Sequence, residues 1–202
     1  KAYQLLSADY NIPPVKIHLH KNIPIGAGLG GGSSDGAFTL KLLNAKFELG
    51  LSNAQLEAYA AQLGSDCPFF IENKPTLAIN TGTDFSSLEV DLKSKFLVII
   101  KPNIHVSTAD AYNGIIIKPK RNAVKEVVEN FTISRWKNEL INDFEETIFN
   151  KHPEIEAIKS DLYKYGALYA SMTGSGAAIY GVFEKETTLE YHKDWTVFKT
   201  KL

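Results

Sequence analysis

The stretch PIGAGLGGGSSDGAF, Pro24 to Phe38, holds six glycines and two serines in fifteen residues before the pattern turns apolar. Glycine beyond the needs of a turn costs conformational entropy on folding, so a run this bare implies that something approaches the main chain closely. Three motifs overlap in it. Gly26, Gly28 and Gly31 satisfy the dinucleotide fingerprint G-x-G-x-x-G, which should follow a buried parallel strand. Here an alternating segment precedes it, Pro24 interrupts, and the later acidic residue would be Glu48, at a helix end. Gly32, Ser34 and Gly36 satisfy the nucleophile elbow G-x-S-x-G, which needs an acid and then a histidine further on. Asp66 or Asp110 with His152 or His192 could be named, but nothing marks such a pair, and four earlier glycines go unexplained.

The third reading is a phosphate cradle. Amides without side chains in the way converge on phosphate oxygens, and a helix starting at Ser33-Ser34 adds its positive end. The serine hydroxyls can donate to phosphate, ligate Mg²⁺ or cap the helix. No lysine follows the glycines as a Walker loop requires, so the cation must come from elsewhere, and Lys21 is nearest. A turn that merely caps a helix would need one glycine. The cradle explains the most residues.

Around the loop, Val15 to Lys21 (VKIHLHK) alternates and predicts a half-buried strand. Ala37, Leu40, Leu43 and Phe47 recur at helical spacing up to a stop at Gly50. Ser52 reads as the N-cap of a helix over 53–63, ended by Gly64, and SDCPFFIE leads into a predicted strand. Residues 76–80 and 96–101 (FLVIIK) are further strands, and TGTDFSSLEVDLKS between them is the expected domain crossover. STAD at Ser107 opens a helix in capping-box form, with Asp for the usual Glu. Helices follow at 122–130, 142–150 and 154–165, then a strand, glycine turn and strand in ALYASMTGSGAAIYGVF, and a last strand in WTVFKTKL. The first residues, KAYQLLSADY, read as the tail of a helix.

Composition narrows the function classes. With 22 Lys and Arg against 23 Asp and Glu, the net charge of -1 carries no nucleic-acid footprint. No apolar run approaches the ~18 residues of a membrane helix. The lone Cys67 excludes an internal disulfide and fits a reducing cytoplasm. Beside Pro68 and Phe69 it reads as a small packed hydrophobe. Among the histidines, His18-x-His20 is the nearest to metal-ligand spacing, and no structural metal is expected.

From Pro24 to Ser34 the residues resemble the ATP-binding motif of the superfamily of galactokinase, homoserine kinase, mevalonate kinase and phosphomevalonate kinase. LGSDCPFF (63–70), PNIHVSTADAY (102–112) and MTGSGAAIYGVF (172–183) resemble, in order and spacing, the branch that phosphorylates a cytidine-diphosphate-linked methylerythritol in non-mevalonate isoprenoid synthesis. The resemblance covers essentially the whole chain. It implies an α+β protein with an incomplete ribosomal-protein-S5-like domain over 1–92, a ferredoxin-like domain over 93–202, and an active site in the cleft between them. It implies transfer of the γ-phosphoryl of ATP, with Mg²⁺, to a tertiary hydroxyl of a small-molecule substrate, with neither nucleic acid nor membrane as partner. The expected ATP-binding residues are Lys21, Pro24, Gly26, Gly28, Leu29, Gly30, Gly31, Gly32, Ser33 and Ser34, with Ser34 also the candidate Mg²⁺ ligand.

Asp66 matches the base. Tyr112 falls near the aromatic that stacks on cytosine, and Thr173, Gly174, Ser175 and Gly176 match a turn that holds substrate phosphate. Each also has a plainer reading: a turn aspartate, a solvated lysine for Lys21, a core tyrosine, an ordinary hairpin. The lysine-bearing first strand of the family is not seen before Lys1, so the resemblance implies a chain lacking the first strands, or one belonging to a longer protein. The alternatives are another kinase of the superfamily, of homoserine or mevalonate type, and an inactive nucleotide-binding fragment.

Overall fold

Ala37, Leu40 and Leu43 lie three residues apart, and all three are buried along the inner stripe of a helix. A computed structural model describes residues 1–80, 82, 84–115 and 122–202, and they form two units. The first comprises Lys1–Ile25 and Gly30–Leu88; the second comprises Gly26–Leu29 and Glu89–Leu202.

In the first unit, helices Ala2–Asp9 (α1), Gly31–Lys46 (α2), Asn53–Ala61 (α3) and Phe69–Glu72 (α4) enclose a core that includes Leu6, Leu40, Leu56, Ala60 and Ile71. α2 begins at Gly31, earlier than its serines suggest, because Gly30 takes a left-handed φ of 64° as N-cap. Ser52 caps α3 in a full capping box with Gln55. A short antiparallel hairpin completes the unit, Thr76–Ile79 (β1) against Asp84–Ser87 (β2).

Two expectations fail here. Val15 to Lys21 is not a strand but irregular chain, with Ile17 60% and Leu19 59% exposed. Alternation makes a strand only where a ladder partner accepts its backbone groups, and none of the described residues pairs with it. The strand expected from SDCPFFIE is instead a turn over 65–68 followed by α4. Pro68 sits at helical φ and ψ, and this winding sends Ile71 into the core. The expected crossover does hold the boundary between the units, which falls after Leu88, although its first part forms β2 and pairs within the first unit; Thr81 and Thr83 lie outside the described residues.

The second unit is built on a four-stranded antiparallel sheet: Phe96–Lys101 (β3), Tyr169–Met172 (β4), Ile179–Phe183 (β5) and Thr196–Lys201 (β6), in the order β4-β5-β3-β6. Inserting β5 between the parallel strands β3 and β4 gives the split β-α-β arrangement of ferredoxin-like folds. Residues 184–195, where such folds carry a second helix, are irregular. Helices Thr108–Asn113 (α5), Val124–Asn130 (α6), Trp136–Glu139 (α7), Glu145–Lys151 (α8) and Pro153–Lys164 (α9) fill the long connection from β3 to β4. α9 lays Ile155, Ile158 and Leu162 against the sheet. At Gly181 on β5 an added Cβ would lie 3.3 Å from Leu162 Cδ1, so glycine permits that approach. The helix expected from 142 begins only at Glu145, because the Asn142 side-chain oxygen accepts from the Phe144 amide at 3.0 Å and holds the chain in a turn.

Candidate functional site

The glycine-rich loop is divided between the units. Its second half is the first turn of α2. The leading amides of a helix have no intrahelical partner and carry partial positive charge. Gly32 would meet nothing within 4 Å if it carried a Cβ, so this turn is open. Gly30 is the opposite: a Cβ there would lie 2.9 Å from Phe70 Cζ of α4. The Lys21 ammonium is ion-paired with Asp35, and it lies 3.5 Å from where a Cβ on Gly31 would stand. The cation is therefore held beside the first turn. Ser33 and Ser34 are partly exposed in the same turn.

Asp66 stands on the exposed turn ahead of α4, where Ser65 Oγ donates to its Oδ1 at 3.4 Å. The turn is anchored by its neighbours. Buried Cys67 lies 3.8 Å from where a Cβ on Gly36 of α2 would be, and Phe70 fills the space under Gly30. A cavity of about 360 Å³ beside α2 is lined by Ile17, Ser33, Asp35, Thr39 and Cys67, among others; Asp66 is not part of its wall. Cys67 is thus packed, as its apolar neighbours suggested.

The first half of the loop, with the turn after β4, forms the corresponding feature of the second unit. Thr173 Oγ1 donates to the Gly28 carbonyl, and the Ala178 amide donates to the Ala27 carbonyl at 3.2 Å. Gly28 has φ +74°, and a Cβ there would lie 2.5 Å from Thr173 O and 2.6 Å from Gly176 O. Only glycine fits. The two glycine turns, far apart in sequence, are one backbone-to-backbone assembly.

Around it, Ser107 caps α5 by accepting from the Asp110 amide, and Thr108 Oγ1 reaches Ser175 Oγ at 3.4 Å. Tyr112 is 63% exposed, its ring edge-on to Phe144 at 4.9 Å, so the core-tyrosine reading is wrong.

Several residues that shape these turns carry no signal in the sequence. Asn142 Nδ2 donates to the carbonyls of Met172 and Gly174, both at 2.8 Å. Buried Glu145 accepts from the Met172 amide at 2.8 Å and pairs with Lys159 at 2.6 Å. Buried Lys101 donates to the carbonyls of Pro102 (2.6 Å) and Ile104 (2.9 Å), and burial pushes its pKa down. It fixes the bend that brings His105 toward Gly26 and Val106 toward Gly176. A lysine at the end of FLVIIK reads as a solvated strand end; only its burial marks it.

Comparison with known proteins decides the family. A family model described as GHMP kinases N terminal domain matches residues 1–74, and one described as GHMP kinases C terminal matches residues 121–190. A 4-diphosphocytidyl-2-C-methyl-D-erythritol kinase of Azobacteroides pseudotrichonymphae is 54% identical over 186 residues, 92% of this chain and 69% of that relative. The chain belongs to the GHMP kinase family, in this branch. A relative of the same name from Bacteroides thetaiotaomicron is 51% identical over 96% of this chain and 70% of its own length. A crystal structure of 4-(cytidine 5'-diphospho)-2C-methyl-D-erythritol kinase matches with a TM-score of 0.66 and 29% identity, over 81% of this chain and 59% of that one. The chain thus spans less than two thirds of that solved protein. A homoserine kinase from Cytophaga hutchinsonii matches with a TM-score of 0.65 at 17% identity and shows the shared fold.

GHMP kinases use ATP as co-substrate. Among the described residues no group of three His, Cys, Asp or Glu side chains could hold a metal ion. The donors in the α2 turn are the hard oxygens of Ser33, Ser34 and Asp35. Such a sparse set fits Mg²⁺, which takes one or two protein oxygens and completes its shell with phosphate and water.

Proposed function

We propose that this kinase transfers the γ-phosphoryl group of ATP to a tertiary hydroxyl of a cytidine-diphosphate-linked methylerythritol, a step of non-mevalonate isoprenoid precursor synthesis in the cytoplasm. The observation that carries the reading is the open first turn of α2 with Lys21 held beside it, in a chain 54% identical to a relative bearing that name. Residues 1–92 are the ATP-binding domain in this reading and 93–202 the second kinase domain.

Phosphoryl transfer has a loose transition state, so positioning and charge stabilisation carry most of the catalysis. The amides of Gly31, Gly32 and Ser33 meet the triphosphate, and Lys21 offsets its charge. Ser34 is the residue that would hold Mg²⁺, which when bound neutralises charge on the phosphate oxygens. As the acceptor oxygen bonds to the γ-phosphorus, the bond from that phosphorus to the bridging oxygen breaks and ADP leaves. Asp66 takes the hydroxyl proton. Thr173, Gly174, Ser175 and Gly176 bind the acceptor's phosphate, and the exposed Tyr112 ring offers a face for cytosine, a contact worth ~1–3 kcal/mol per base.

An acceptor panel with γ-labelled ATP tests this. Label should pass to the cytidylated methylerythritol at least tenfold faster than to homoserine or mevalonate. Equal transfer to homoserine, or none to any acceptor, contradicts it.

A further inference from the structure

β4 is an edge strand, and at Met172 both backbone groups point away from β5. Two side chains from the segment before and at the start of α8 take the place of a neighbouring strand. Glu145 Oε1 accepts from the Met172 amide (2.8 Å) and from Ser171 Oγ (3.2 Å), while its other oxygen pairs with Lys159. Asn142 Nδ2 donates to the Met172 carbonyl, then reaches past the end of the strand to the Gly174 carbonyl. Glu145 holds the strand; Asn142 holds both the strand and the turn. Its own orientation is set from behind, since its Oδ1 accepts from the Phe144 amide.

The turn it grips, Thr173 to Gly176, is glycine-rich. Asn142 adds an anchor at the Gly174 carbonyl to the one Thr173 Oγ1 makes on the Gly28 carbonyl, and such anchors limit the alternatives open to a glycine-rich backbone. We propose that Asn142 is a positioning residue: it sets the conformation of the Thr173–Gly176 turn and, through it, the binding of the acceptor's phosphate. The second clause rests on the function proposed above. An amide is required because one nitrogen must donate twice while the oxygen accepts. Aspartate, of the same shape, would set a negative oxygen against two carbonyls.

The test uses Asn142→Asp and Asn142→Ala in the full chain, with amide hydrogen exchange at Gly174 and Gly176 and the separate KM values for ATP and acceptor. Both variants should exchange at least tenfold faster at those glycines and raise the acceptor KM roughly tenfold, with the ATP KM within twofold of wild type. The Asp variant should recover as pH falls toward about 4, where the carboxyl begins to protonate and regains one donor; the Ala variant should not. Wild-type exchange at both glycines in both variants would overturn the proposal. So would equal rises in both KM values with no pH-dependent recovery in the Asp variant. Exchange is read without substrate, so a wild-type chain that binds no acceptor refutes the proposed function while exchange alone decides the positioning.

Discussion

Two halves of one glycine-rich loop use glycine for opposite reasons. Gly28 is hemmed in by the carbonyls of Thr173 and Gly176 at a positive φ, whereas Gly32 would meet nothing within 4 Å. At Gly28, as at Gly30 against Phe70, the protein fills the space a side chain would take; at Gly32 the space is open. A glycine run is therefore not one signal. Where the fold itself makes the close approach, glycine is structural, and where nothing in the chain makes it, the bare backbone is open, as the proposed phosphate site needs.

Substitution by alanine should split the halves. Gly28→Ala forces a left-handed φ and a backbone collision, and should cost about 2–4 kcal/mol, read as a fall in denaturation midpoint. Gly32→Ala should leave the melting temperature unchanged or slightly raised, since alanine favours a helix by up to ~1 kcal/mol over glycine. Its methyl group would stand where phosphate is proposed to bind, so the KM for ATP should rise roughly tenfold, equivalent to about 1.4 kcal/mol. If Gly32→Ala instead unfolds the chain, or leaves ATP binding untouched, the division of the loop is wrong.

A smaller effect bears on the unit that holds the Gly28 half. Burial pushes the hydroxyls of Tyr169 and Tyr180 above their ordinary range. Below a pH of about 10 these groups are neutral in both states. Above it they ionise in the unfolded chain first, so the native state binds more protons and stability falls as pH rises. Tyr180→Phe should flatten that alkaline limb in urea titrations, while an unchanged slope would mean the ring titrates freely in the native state.

Legibility in the sequence followed how locally each feature is determined. Ser52 with Gln55, Ser107 with Asp110, and the apolar spacing of α2 are settled within a few residues, and each was readable. Strands depend on a partner. FLVIIK forms β3 because β5 and β6 flank it, whereas VKIHLHK, equally suited by pattern, stays irregular with Ile17 and Leu19 exposed. Phe69–Glu72 carries β-favouring aromatics but winds into a helix because tertiary packing under Gly30 overrides propensity. The same limit applies to the site. The glycine loop stands out as a motif and Asp66 only by resemblance to the family, while Asn142 and Lys101 act through hydrogen bonds to distant or bent backbone that no spacing encodes.

The central claim is that Asp66, on its exposed turn, takes the acceptor's proton during phosphoryl transfer from ATP. Single-turnover kinetics of Asp66→Asn beside the wild-type chain test it most directly. The account predicts a fall in the transfer rate of about 10³-fold with nucleotide affinity and melting temperature little changed. Near-normal transfer by the variant would contradict it.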